Sequence, residues 1–205
     1  MLQSKSLDPN TYTLLQTLSK REELTSFGLG GGTALALQIG HRISVDLDFF
    51  TSESFDSEEL IRSLEMTLKI NQVTSNVNSV NCYISQDGVN IKVDFLKHGY
   101  PMLEPLKKEN GMRLFSLQDI SAMKLNAIAN RGAKKDFYDI YSLLNHYSMS
   151  EMIEFFELKY PSVNSFSVVK SLLYFKDADH DPDPISLLSI NWTDVKEKIS
   201  LCVKL

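Results

Sequence analysis

The chain has 205 residues, 43% hydrophobic and 23% charged, with a formal net charge of −5. That length can bury a full core in one domain, or one domain with an appendage; the ordinary composition excludes a disordered or fibrous chain, and the acidic balance excludes a generally basic nucleic-acid binder. Cys82 and Cys202 lack CxxC spacing, which excludes a disulfide framework or zinc centre, and neither a signal peptide nor an apolar run of ~20 residues is present, so a cytoplasmic protein with no membrane partner is expected.

The first predicted element is a helix in "NTYTLLQTLSKREEL", with Tyr12, Leu15 and Leu18 at helical spacing and Asp8 as its cap. "TSFGLG" reads as a short strand running into a glycine turn, and "TALALQIG" as a helix ended by Gly40. In "SVDLDFFT" the alternation predicts a strand with Val45, Leu47 and Phe49 on one face and Asp46 and Asp48 on the other. A second amphipathic helix, "SEELIRSLEMTLK", starts near Asp56 or Ser57, and two or three strands follow between Asn71 and Leu96. The last of them, "VNIKVDFL", sets Val89, Ile91, Val93 and Phe95 against Lys92 and Asp94.

The prolines, glycines and charges of residues 98–113 predict an irregular crossing. Beyond it the chain reads as helices: "SLQDISAMKLNAIANRG" capped by Ser116, "AKKDFYDIYSLLNHY", "SEMIEFFELKY", "NSFSVVKSLLYF" and, after a Pro/Asp loop, "TDVKEKISLCVKL". The expected fold class is α/β (α+β): a mixed-sheet core with an N-terminal helix in 1–97, a connecting segment in 98–112 and a helical domain in 113–205.

A glycine run between strand and helix lets the backbone approach a phosphate while the helix N-terminus offers free N–H groups, and Gly31, Gly32 and Thr33 are placed for that task. A Walker loop is excluded because no GK[ST] follows. A dinucleotide fingerprint started at Gly28 and Gly30 puts Thr33 where a third glycine belongs, which leaves an NAD-type oxidoreductase and a plain tight turn as competing readings. Asp46 and Asp48 share one strand face, where like charges call for a counter-charge; Mg²⁺ or Mn²⁺, held by one or two carboxylates plus substrate phosphates, is one reading, and ordinary acids on a solvent-facing strand are the competing one.

If the strand of Asp94 adjoins that of Asp46 and Asp48, three acids converge beside Gly32 and Thr33 in a two-metal phosphoryl-transfer site, with Asp94 orienting or deprotonating the acceptor. An ion pair of Asp94 with Lys92 or Lys97 is the competing expectation. Lys124 and Arg131 lie on one helix face and could grip a triphosphate; Lys124, in an apolar helix, needs an anion, either Asp136 or a phosphate. Lys134 and Lys135 read as a solvated helix end, and His41 as a cap or, with Arg42, a phosphate contact. An RNA acceptor would need a basic surface, for which Lys97, Lys107, Lys108, Arg113, Lys134 and Lys135 are the candidates.

"GGTALALQIGHRISVDLDFF", "YPMLEPL", "LQDISAMKLNAIANRGAKKDFYDIYSLL" and "LLYFKDAD" together resemble the AbiEii/AbiGii-type toxin family of nucleotidyltransferases, within the DNA polymerase β-like superfamily. The resemblance covers about Phe27 to Asp183 and implies a nucleotidyltransferase core with a helical C-terminal half, NTP as substrate, Mg²⁺ on Asp46 and Asp48, and phosphates on Gly32 and Thr33. It also implies functional importance for Lys124 and Asp136, a neighbouring AbiEi-like antitoxin and, as in some members, transfer to tRNA ends. Thr33 stands where many superfamily members have serine, and the third carboxylate is less regular in the family. The expected activity is Mg-dependent transfer of an NMP from an NTP to an acceptor hydroxyl by the toxin of a prokaryotic type IV toxin-antitoxin system; a non-catalytic module of the same fold that binds nucleotide or a protein partner is the alternative.

Overall fold

The computed structural model describes residues 1–203, which form two compact units. The first comprises Met1–Ile39, Ser44–Pro101 and Leu106–Phe115; the second comprises Gly40–Ile43, Met102–Pro105 and the chain from Ser116 onward. Residues 106–112, expected in the connecting segment, and 113–115, expected at the start of the helical domain, lie in the first unit.

Helix α1 (Pro9–Ser19) begins with proline at its first position, where no N–H is needed, and the Asp8 carboxylate accepts from the Asn10 N–H at 2.8 Å. The sheet of this unit has seven strands: β1 (Gly28–Leu29), β2 (Leu47–Thr51), β3 (Lys69–Asn76), β4 (Ser79–Gln86), β5 (Val89–Lys97), β6 (Lys107–Glu109) and β7 (Met112–Leu114). Their order is β3-β4-β5-β2-β1-β7-β6, with β2 parallel to β5 and β1 parallel to β7. Helix α2 (Gly31–Ile39) follows β1 and α3 (Ser57–Glu65) follows β2, the latter capped by Asp56.

Two of the sheet's hairpins follow from glycine-containing turns. Asp87 and Gly88 (φ 50° and 83°) join β4 to β5, and Asn110 and Gly111 (φ 51° and 78°) join β6 to β7; both are two-residue turns with both central residues in the left-handed region, which Asp-Gly and Asn-Gly adopt most readily. The core lies on the face of Leu47, Phe49, Val93 and Phe95, where Phe49 and Phe95 are register partners with stacked rings 5.4 Å apart and Phe27 meets Phe95 edge-on at 5.8 Å. Strand β2 starts only at Leu47, so Val45, expected on the core face, lies outside it and is 59% exposed.

The second unit is helical: α4 (Leu117–Asn130), α5 (Lys134–Leu143), α6 (Met149–Lys159), α7 (Ser165–Leu172) and α8 (Trp192–Val203). Ser116 caps α4 by accepting from the Asp119 N–H at 3.0 Å, and Ser148 and Glu151 form a reciprocal capping box on α6. Helix α4 is central, packing on α5, α6 and α7. Its Asp119 is fully buried and accepts Lys159 Nζ at 2.7 Å and the Leu103 N–H at 3.0 Å, tying the 102–105 segment to the bundle. Among the described residues no helix is long and apolar enough to cross a membrane.

Candidate active site

In the first unit, strand β1 ends where α2 begins, so the N–H groups of Gly31, Gly32 and Thr33 occupy a helix N-terminus and have no partner inside the helix. Gly31 takes φ +63°, and a Cβ there would stand 2.7 Å from Asp48 Oδ2. Both facts require glycine: the dihedral disfavours any side chain and the carboxylate leaves no room for one. The Gly30 N–H donates to the Asp48 carbonyl at 2.9 Å, which holds turn and strand together. Thr33, expected to offer its hydroxyl to phosphate, is 1% exposed; Oγ1 lies 2.8 Å from Ser44 Oγ and donates to the Asp46 carbonyl. Its hydroxyl fixes the chain entering β2, so only backbone N–H groups of this turn remain suited to an anion.

Asp48 and Asp94 are register partners on parallel strands β2 and β5, so their side chains leave the sheet on the same face, opposite the aromatic core. Asp94 is 7% exposed: Oδ2 accepts Lys92 Nζ at 2.6 Å, while Oδ1 is buried with no hydrogen-bond donor. The competing expectation, an Asp94–Lys92 pair, is thus present alongside the adjacency of Asp94 and Asp48. Burial works against the Lys92 charge, but the hydrogen bond and charge of Asp94, with the charges of Asp48 and Asp46, raise its pKa above the ordinary lysine value.

Asp46, Asp48 and Asp94 all lie near enough to act on the Lys92 ammonium. Among the described residues no group of three or more His, Cys, Asp or Glu side chains is close enough to hold an ion. Asp46 precedes β2 instead of lying within it, and an ammonium already sits against Asp94. The remaining pair still fits a hard divalent cation: the donors are all carboxylate oxygens, one is buried without a partner, and magnesium normally takes one or two carboxylates and completes its sphere with phosphates and water. Burial pushes the neighbouring Cys82 thiol up to about 12, with the charge of Asp94 adding to the effect, so thiol chemistry is not on offer.

The charged residues expected at the triphosphate form an interior network in the second unit. Lys124 is 5% exposed, with Nζ 2.8 Å from Asp136 Oδ1 and 2.6 Å from Asp139 Oδ2. Arg42 grips Asp139 with Nε at 2.7 Å and Nη2 at 3.0 Å, and His41 Nε2 donates to the same carboxylate at 2.6 Å, leaving Nδ1 buried without a partner. Arg131 Nε reaches Asp136 Oδ2 at 3.1 Å while its side chain stays 60% exposed.

Burial would raise the Asp139 carboxyl, yet the charges of Lys124 and Arg42 and the bonds from His41 and Arg42 hold it well below the usual carboxylate range. Asp136 is lowered in the same way by Lys124 and Arg131 against its own burial, and Lys124 is raised because Asp139 and Asp136 outweigh its desolvation. Of the two anions expected for Lys124, Asp136 is the one it meets, and Asp139 is a second; His41 and Arg42 also meet Asp139, because a buried charge needs an opposite charge beside it.

Asp139, the hub, was not singled out as functional by sequence reasoning; its signal is its position three residues after Asp136, one turn along α5. Lys134, expected on a solvated helix end, is 5% exposed and paired with Asp183 at 3.1 Å. Three further members of the candidate basic surface have local partners. Arg113 donates to the carbonyls of Phe27, Ser19 and Leu24, Lys107 pairs with Glu109 at 2.7 Å, and Lys97 donates to Ser54 at 2.8 Å.

Residues 13–203 match the family model described as nucleotidyl transferase AbiEii toxin, type IV TA system. An uncharacterized protein of Aquifex aeolicus (strain VF5) is 37% identical over 158 residues, which is 74% of this chain and 75% of the relative. The crystal structure of JHP933 from Helicobacter pylori is similar with a TM-score of 0.60, covering 100% of this chain and 92% of that one at 16% identity. A crystal structure of a candidate nucleotidyltransferase from H. pylori gives 0.59, covering 94% and 89% at 17% identity. At such identities the structures speak for a shared fold, and the family match, which runs through both the glycine turn and the charged helices, carries the assignment. The chain belongs to the AbiEii family of type IV toxin-antitoxin toxins, and its chemistry is nucleotidyl transfer.

Proposed function

We propose that this protein moves a nucleoside monophosphate from an NTP to an acceptor hydroxyl in a magnesium- or manganese-dependent reaction, with Asp48 and Asp94 as the principal metal-holding carboxylates and Asp46 beside them. The observation that carries this reading is the register pairing of Asp48 with Asp94 while the Asp48 carboxylate presses on Gly31 at the head of α2. Anionic side chains and anion-seeking N–H groups then lie within one small region, which suits a polyphosphate bridged by a cation. When bound, the divalent ion would neutralise phosphate charge and lower the barrier to displacement at the α-phosphorus.

The chain's own residues divide the remaining work. The N–H groups of Gly31 and Gly32 orient the phosphates. Asp94 is the group we assign to orient the attacking hydroxyl and take its proton as its oxygen bonds to the α-phosphorus and the bond to pyrophosphate breaks. Lys124, Asp136 and Asp139 keep the second unit in one packing arrangement, and Arg131, held by Asp136 with its side chain largely exposed, is the member of that network suited to an anionic ligand. By family membership we extend the reading to a toxin that acts on tRNA or another RNA and is countered by an antitoxin encoded nearby. Incubation of α-labelled NTPs with total bacterial RNA and Mg²⁺ tests it: label should appear in RNA with wild-type protein and vanish with D48N. Labelling undiminished in D48N, or none with any of the four NTPs, refutes the proposal.

A further inference from the structure

Lys92 stands two residues before Asp94 on β5, so the two side chains leave the strand on one face, and the lysine bends along it to place Nζ 2.6 Å from Asp94 Oδ2. The two partners differ in freedom. The Asp94 side chain is 10% exposed and belongs to a central strand, whereas the Lys92 side chain is 40% exposed and ends in four rotatable carbons that can carry the ammonium into water. A divalent ion on a carboxylate oxygen sits about 2.0–2.1 Å away. An ammonium at 2.6 Å from that same oxygen would be within a few ångströms of the ion, where like charges repel strongly in a partly buried site.

We propose that Lys92 is a built-in counter-cation of this site: it occupies Asp94 Oδ2, relieves the repulsion between Asp94 and Asp48, and must swing away for a divalent ion to bind there. The inference rests on the metal-holding reading of Asp48 and Asp94. The observation favouring it is geometric: the ammonium lies 2.6 Å from Asp94 Oδ2, the strand register sets Asp94 beside Asp48, and the lysine side chain is 40% exposed against 10% for the aspartate it covers. By linkage, whatever stabilises the Lys92–Asp94 contact weakens the metal by the same factor, which sets a threshold on the ion concentration needed for loading.

The test is Mn²⁺ binding, read from the loss of the free-ion EPR signal on titration of the full chain, in wild type, K92Q, K97Q and D48N. K92Q should bind Mn²⁺ roughly tenfold more tightly than wild type, the factor expected when a competing cation is removed from a partly buried carboxylate. K97Q, which removes an exposed positive charge from the same strand, should bind as wild type. Unchanged or weaker binding by K92Q overturns the inference, as does equal tightening in K97Q, which would reduce the effect to net charge. If Mn²⁺ binds but D48N does not weaken it, or if no variant binds, the metal-holding reading itself falls; if D48N abolishes binding while K92Q equals wild type, only the Lys92 inference falls.

Discussion

Asp139 in the helical unit is fully buried and receives Arg42, Lys124 and His41, whereas Asp48 in the sheet unit is half-buried, faces Asp94 across the ladder and presses on a glycine. Asp139 is enclosed by Arg42, Lys124 and His41, whereas Asp48 stands in register with a second carboxylate that itself holds the Lys92 ammonium. Buried charge can be tolerated when every atom is matched, and the helical unit matches nearly all of them. The sheet unit leaves a buried oxygen of Asp94 without a donor, which is unfavourable for folding and useful for binding a cation or accepting a proton. The two units differ in how fully their buried carboxylate oxygens are matched by donors, and not in whether carboxylates are buried.

The comparison breaks most visibly at Asp139. D139A leaves Arg42 and Lys124 buried with too little counter-charge, and unfolding by urea should show a loss of about 3–5 kcal/mol. The same network should govern acid unfolding. Because the carboxyls of Asp136 and Asp139 are lowered in the folded state, their stabilisation is complete above the unfolded value near ~3.9 and is lost as pH falls below it toward their folded values. Lys124 is raised, so its contribution is complete below the unfolded lysine value and is lost only in strongly alkaline solution. Thermal melts across acid pH should therefore fall steeply for wild type and less steeply for D139N, which has one fewer depressed carboxyl.

G31A should act on the other side of the comparison. A side chain at φ +63° costs on the order of 1–2 kcal/mol, and its Cβ would displace Asp48, so the variant should remain folded with a modestly lowered melting temperature while label transfer falls sharply. D94N should move stability least, within about 1 kcal/mol, since Lys92 is well exposed and its pair is partly screened. Its transfer rate should nonetheless drop about 100-fold or more if Asp94 accepts the acceptor's proton. A D94N variant that unfolds as readily as D139A would make Asp94 another structural charge and erase the distinction.

Much of this architecture was readable residue by residue. Asp8, Asp56 and Ser116 announce helix starts because a side-chain oxygen beside free N–H groups is a local feature, and each caps as expected. Alternation predicts strands between Asn71 and Leu96 without their turns, although Asp87-Gly88 is an equally local hairpin signal. Asn110-Gly111 carries the equal signal for β6 and β7, yet the prolines and charges around it suggest a crossing, because three-residue strands are too short to show a period. The glycine turn and the DxD pair were visible as motifs, and the long blocks resembling the AbiEii family were visible as a resemblance.

What one-dimensional pattern determined here was the element types, most helix caps, the two-face division of β2 and β5 and the family. Only the folded chain decided which charges meet. Partners such as Arg42 and Asp139, 97 positions apart, or Asp48 and Asp94, brought together by a parallel register, depend on tertiary packing. Caps and alternation are set by neighbours within a few residues, whereas the environment of a charge, and with it the charge's energetic role, depends on residues distant in the chain.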